Sequence, residues 1–378
     1  MQRSSILLAV ALGLTAWASR ATHGAPRDVL AQVVDDLCGK QLVLLGEDRS
    51  HVAGRSIEAR AEIVRRLVEQ CDFDAVVFET GRYDFVELAD HPDPDALRAA
   101  LPMWSQGAEL DGLLSFLYPR LVDGRIRLAG MDDQINQGTY AHLRMPEELV
   151  GVLTQPAQAT CREAFARHAQ WGYDAEHPYD SRAVAGLGGC WREIAAGWRS
   201  RGDEVRAGLA RDLAGAYDRD RMQLEGADVA ALFSARDEAM FEIFESLWPE
   251  GRPERIIVWL ASVHAAPDAE TEGVVNFGSR VHAAYGDRAF VLATSAYAGT
   301  FGRPPGRVIP PPPDGSLEAI AFEKMRGAMH YLGPAALREA GIVSAHPFGF
   351  ETSHVRDWAT AIDGYLVLRS ESPPQHVE

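Results

Sequence analysis

The residues best suited to chemistry lie close together in the chain. Glu47, Asp48, Arg49 and His51 follow the apolar run Leu42–Leu45, and Glu79 closes a second short run that begins at Asp74. An imidazole beside two carboxylates has its charged form favoured, and one carboxylate can fix its tautomer. That combination suits a general base drawing a proton from water. His51 is the leading candidate, with Glu47 and Glu79 as its partners; the plainer alternative is a loop histidine that only bonds backbone. His264, after a later apolar run, is a second imidazole in a similar place. Arg55 and Arg60 could bind a substrate carboxylate or polarise a carbonyl, although Arg60 equally fits pairing with helix carboxylates. Asp132 and Asp133 could orient a base, hold a metal or stand solvated at a strand end.

These residues need a scaffold that presents them together. Gln41 to Thr80 reads as strand, loop, helix, strand: Ile57, Ala61, Val64 and Val68 recur at helical spacing over Arg55–Gln70, between two short apolar runs. Such a βαβ unit has a right-handed crossover, and ligands bind beyond the carboxyl ends of its strands. A third strand is expected over Arg125–Ala129, ending in Gly130–Gln134; later strands are expected at Ile256–Leu260, Ala289–Ala293 and Gly364–Leu368. Helices are expected over Pro26–Leu37, Tyr83–Ala89, Glu109–Leu121, Ser279–Tyr285, Leu317–Tyr331 and Pro334–Ala340, with the proline-rich Arg303–Asp314 extended. The fold class is α/β: a central, mainly parallel sheet flanked by helices, with a helical insertion over the C-terminal ends of the strands. Residues 26–145 and 250–370 form the α/β domain, 146–249 the insertion, and 371–378 a loose tail.

The net charge of −17, from 54 acidic and 37 basic residues, disfavours nucleic acid and anionic membrane surfaces as partners. Arg3, the apolar Ile6–Ala18 and the small residues of Ala16-Trp17-Ala18 read as a signal peptide over residues 1–18, with residue 25 as an alternative end. Its removal leaves no membrane span and implies a periplasmic or secreted protein. The four cysteines, Cys38, Cys71, Cys161 and Cys190, lack zinc spacing and suit two disulfides in an oxidising compartment. Three connectivities exist; local arrangement suggests Cys38 with Cys71 and Cys161 with Cys190.

No GxSxG, HExxH, GxGxxG or P-loop pattern occurs, which leaves His–carboxylate chemistry or binding. Gly46-Glu47 with His51, the helix bearing Glu58 and Arg60, and the strand ending Phe78-Glu79 form one motif block. Further blocks are Gly130-Met131-Asp132, Arg236-Asp237 through Met240 and Glu242, and Ile257-Val258-Trp259 through His264. In this order they resemble the erythromycin esterase family (LGExxHG, GxD, RDxxMAE, VVWAHNxH), part of a wider group related to haem-binding TIKI-like proteins. The similarity spans roughly residues 38 to 370. The resemblance implies an exported hydrolase of esters or related bonds that needs no metal or other cofactor and acts on a small-molecule substrate. His51 would activate water, Glu47 and Glu79 would orient and tune it, and His264 with Arg60 would steady the oxyanion. Arg55, Arg60, Asp132 and Arg236 would contact substrate. Two departures stand out: Glu47 and His51 are four residues apart instead of three, and Ala261-Ser262 replaces the first His-Asn pair of the strand motif. They favour the alternative of an exported binding protein that kept the fold and lost the reaction. A metal- or haem-binding protein is the third reading.

Overall fold

The computed structural model describes residues 28–248, 251–267, 274–303, 305–323 and 326–375. The expected signal peptide lies outside the described residues. Strands β1 (Leu42–Glu47), β2 (Ala75–Gly81), β3 (Arg127–Asp132), β4 (Ile256–Ala261) and β5 (Ala289–Ala296) are parallel neighbours in the central sheet. A small hairpin follows, β6 (Thr300–Phe301) with β7 (Arg307–Val308). After it come β8 (Met329–Leu332), the hairpin β9 (Ile342–Ala345) with β10 (His354–Asp357), and β11 (Gly364–Leu368). The seven-stranded sheet runs β3-β2-β4-β1-β5-β11-β8, and only β8 is antiparallel to its neighbour.

Apolar residues on both faces of each inner strand explain this layering. In β1, Val43 and Leu45 join one buried cluster while Leu42 and Leu44 join the other. In β4, Ile257 and Trp259 face the first cluster, and Ile256, Val258 and Leu260 the second. Alternation with no polar side is the mark of a sheet covered by helices on both faces. The helix Gly54–Gln70 that follows β1 packs Ile57, Ile63, Val64 and Leu67 into the first cluster. The helix Phe277–Tyr285 that follows β4 packs Phe277 and Val281 into the second. Adjacent strands whose connections leave in opposite directions on opposite faces make a topological switch point. The crevice where α/β sheets bind ligands therefore opens at the carboxyl ends of β1 and β4.

Of the five helices between Met145 and Ser246, the first four build a separate buried cluster that includes Phe165, Leu187, Trp191 and Leu213. The fifth, Val229–Ser246, returns to the sheet through Met240, Ile243 and Phe244. Cys161–Cys190 ties two insertion helices together, and Cys38–Cys71 ties the ends of Val29–Leu37 and Gly54–Gln70, with Cα separations of 5.6 and 5.1 Å. Among the described residues no helix is long and apolar enough to cross a membrane.

Some expectations need correction. Of the helix expected over Leu317–Tyr331, Leu317–Glu323 is helical, whereas Met329–Leu332 is instead the antiparallel edge strand. Tyr331 and Leu332 serve opposite faces there, so pairing with β11 overrides a helical reading. The third strand begins at Arg127, because the Arg125 and Ile126 amides still bond the Arg120 carbonyl at the preceding helix end. The β9–β10 hairpin was not expected. The tail is not loose over its described part: Glu371 is buried, its Oε1 accepts the Arg55 N–H at 2.7 Å, and the Gln375 N–H reaches Glu109.

Candidate active site

Glu47 ends β1 on the face of the first cluster and is 1% exposed. Its Oε1 accepts from Trp104 Nε1 at 2.6 Å and Trp259 Nε1 at 3.0 Å, and its Oε2 from Arg60. Burial alone would raise its pKa, but the Arg60 guanidinium and the His51 imidazole outweigh that and hold it below the usual range. Glu47 is thus an ionised group that only accepts, so the 2.9 Å contact to His51 Nδ1 fixes the proton on that nitrogen. The lone pair of neutral His51 is then on Nε2, and His51 lines a cavity of about 390 Å³.

The four-residue spacing from Glu47 to His51 closes as a tight turn. The His51 N–H bonds the Asp48 carbonyl at 3.0 Å, and His51 takes a left-handed φ of 57°. Such a conformation costs on the order of 1 kcal/mol in a residue with a Cβ. Asp48 holds the turn: its Oδ1 accepts the Ser50 N–H at 2.8 Å, and its Oδ2 the Phe350 N–H at 2.9 Å.

A second imidazole faces the same cavity. His264 follows β4 in a short helical turn, and its Nδ1 lies 2.7 Å from Asp237 Oδ1. Asp237 is fully buried and its Oδ2 accepts the Phe277 N–H at 2.7 Å, so it too acts as an acceptor and places the proton on Nδ1. The His264 ring stacks on Phe233 at 4.8 Å. Gly278 lets the following helix come this close, since a Cβ there would lie 2.0 Å from the Ala265 carbonyl oxygen.

Glu79 stands between the two rings. Its Oε1 is 3.9 Å from His51 Nε2, 3.3 Å from His264 Nε2 and 3.2 Å from Arg236 Nη2. Its Oε2 accepts the Ala261 N–H at 2.7 Å. Burial would raise its pKa, yet His264, His51 and Arg236 together hold it well below the usual carboxylate value. Burial works against protonation of both imidazoles, but the carboxylates win. His51 is raised above 6.5 by Glu79 and Glu47, and His264 is raised to about 9 by Glu79 and Asp237. Arg236 Nη1 lies 3.2 Å from His264 Nε2, and its Nη2 reaches Asp132 Oδ2 at 2.5 Å. Four carboxylates (Glu47, Glu79, Asp132, Asp237) face two guanidiniums (Arg60, Arg236), and that imbalance is what draws protons onto the histidines.

The expected residues divide clearly. His51, Glu79, His264, Asp132 and Arg236 line one cavity, with Glu47 directly behind His51. Arg60 is fully buried against Glu47, with its guanidinium 4.9 Å from the Trp259 ring, so it supports the site from below and has no surface to offer a substrate. Arg55 is exposed at a helix start and does not line the cavity. Arg236 occupies the place by His264 that was expected of Arg60. Asp237 and the two indoles on Glu47 were not assigned roles from sequence. Asp237 neighbours Arg236 in a recognisable motif and Trp259 lies in another, whereas Trp104 comes from a loop without signal. Among the described residues no group of three or more His, Cys, Asp or Glu could hold a metal ion.

The sequence profile of the erythromycin esterase family matches residues 68–363. Among solved structures, a succinoglycan biosynthesis protein superposes with a TM-score of 0.70 at 13% identity over 94% of each chain. A Bacillus cereus protein gives 0.67 at 15% identity over 92% of this chain and 93% of that one. A mutant of the erythromycin esterase EreC in its open conformation gives 0.63 at 16% identity, covering 92% and 95%. At these identities the superpositions establish the shared fold, and the profile establishes the kinship: this chain belongs to the erythromycin esterase family.

Proposed function

We propose that this protein is an exported hydrolase of esters or related bonds in which His51 activates water. One observation carries the reading: two histidines, each with Nδ1 held by a buried carboxylate, line one cavity on either side of Glu79. A water near His51 Nε2 would give that nitrogen a proton as its oxygen attacks the carbonyl carbon. The charge developing on the carbonyl oxygen would be met by the His264 imidazolium and Arg236. Collapse of the tetrahedral adduct would break the bond to the leaving oxygen, which takes the proton from His51. Glu47 and Asp237 act as positioning residues by fixing tautomers, and Glu79 balances the charge between the rings. The erythromycin esterase family supports ester hydrolysis as the reaction class. Two disulfides and the apolar N-terminal sequence support export to the periplasm or medium.

The second reading, a binding protein on the same scaffold, draws on Ala261 standing where the family carries a histidine. Screening purified protein against a panel of esters and lactones, beside its His51→Ala variant, separates the two. Hydrolysis that disappears in the variant supports the enzyme. Saturable ligand binding with no turnover by the wild type supports the binding protein.

A further inference from the structure

Beside the site, within the helical insertion, lies a second cavity of about 430 Å³. Gln134 belongs to the walls of both cavities. The chain also turns one carboxylate to each, since Asp132 lines the first and Asp133 the second. Phe165, Trp171, Trp191 and Tyr217 give the second cavity aromatic walls, and Asp220 adds another carboxylate. Among the described residues no Lys or Arg lines it.

Asp133 is 2% exposed, and Arg219 holds its Oδ1, but its Oδ2 has no hydrogen-bond partner among the described residues. Burial pushes this carboxyl up to about 6 against the pull of Arg219, with Asp132 and Asp212 adding to the rise. A buried acceptor left open is costly, and more so when it is charged. Trp171 stands at the rim with 62% of its surface exposed, an unusual fraction for an indole. A cationic N–H donor on an apolar body answers all three features. It supplies the charge, the missing donor and a partner for the aromatic faces. An alcohol supplies only the donor, and an anion is repelled.

We propose that the insertion cavity binds a protonated amine carried by the substrate whose scissile bond lies in the neighbouring cavity. Only the link to a substrate rests on the hydrolase reading. Calorimetric titration of the whole protein at pH 8 with benzylamine, benzyl alcohol and benzoate tests the site directly. Benzylamine should bind at least about tenfold tighter than the other two. Asp133→Asn and the surface variant Trp171→Ala should each weaken it at least about fivefold. Equal binding of all three probes, no saturable benzylamine binding, or both variants binding like the wild type would overturn the proposal. Amine binding without hydrolysis of any ester would remove the enzymatic reading and leave this site standing; hydrolysis without amine binding would do the reverse.

Discussion

Replacing Asp237 by Asn probes the site with almost no change of shape. Asp237 accepts from His264 through Oδ1 and from the Phe277 amide through Oδ2, both at 2.7 Å. The Phe277 N–H can only donate, so the one carbonyl oxygen of Asn must turn to it. The amide NH₂ then faces His264 Nδ1, which must become an acceptor. The imidazolium loses both a negative neighbour and an acceptor, so its pKa falls from about 9 toward the ordinary 6.5. Glu79, still 3.3 Å from Nε2, keeps it from falling the whole way. At pH 8 the wild-type ring is about nine-tenths protonated, and a complete fall would leave about three hundredths. The loss of the cationic form at pH 8 is therefore bounded at roughly thirtyfold, and at pH 6 it is small. Imidazole C–H signals followed by NMR across pH, assigned with a His264→Gln variant, report the midpoint without needing a substrate. The pH dependence of kcat/KM on any hydrolysed ester should shift the same way. A His264 midpoint that stays near 9 in Asp237→Asn would refute the idea that this carboxylate holds the ring's charge.

Other expectations follow from the same geometry. Glu47→Gln leaves the buried Arg60 without its counter-ion and should cost about 3–5 kcal/mol in denaturant unfolding; a cost under 1 kcal/mol would contradict it. The rate should be bell-shaped in pH, rising as His51 loses its proton above 6.5 and falling as His264 loses its own near 9. Stability has its own pH dependence: His264 is raised from 6.5 to about 9, so its contribution is complete below 6.5 and is lost as pH rises through 9. The gap corresponds to about 3 kcal/mol, measurable in His264→Gln, which should flatten the decline. Reducing the disulfides, which close loops of 33 and 29 residues, should cost about 2–4 kcal/mol each and lower the unfolding midpoint.

Much of the scaffold was legible because the inner strands carry apolar residues on both faces and the helices a clear stripe. The segments Leu42–Leu45 and Ile256–Leu260 could hardly be anything else in a covered sheet. The edge was harder to read: Met329–Leu332 is short, and only its partner β11 makes it a strand. In the site, His51 was visible from its place just past β1 and Glu79 from closing the apolar run of β2, inside the strand. Arg60 was visible as a residue but not in its role, because sequence does not say which side of Glu47 a helical guanidinium approaches. Trp104 was invisible, since a loop indole acquires meaning only when its N–H meets a buried carboxylate. Asp237 shows the same limit, being 27 residues from the ring it orients.

The central claim is that His51 Nε2 takes the proton of the attacking water. Its most direct test is kcat/KM for wild type and His51→Ala on the best ester of the panel, at pH 8, with thermal unfolding measured in parallel. The account predicts a fall of about 10²–10⁴ with an essentially unchanged unfolding temperature. A variant that folds equally well and hydrolyses within about tenfold of the wild type, less than a general base normally contributes, would contradict it.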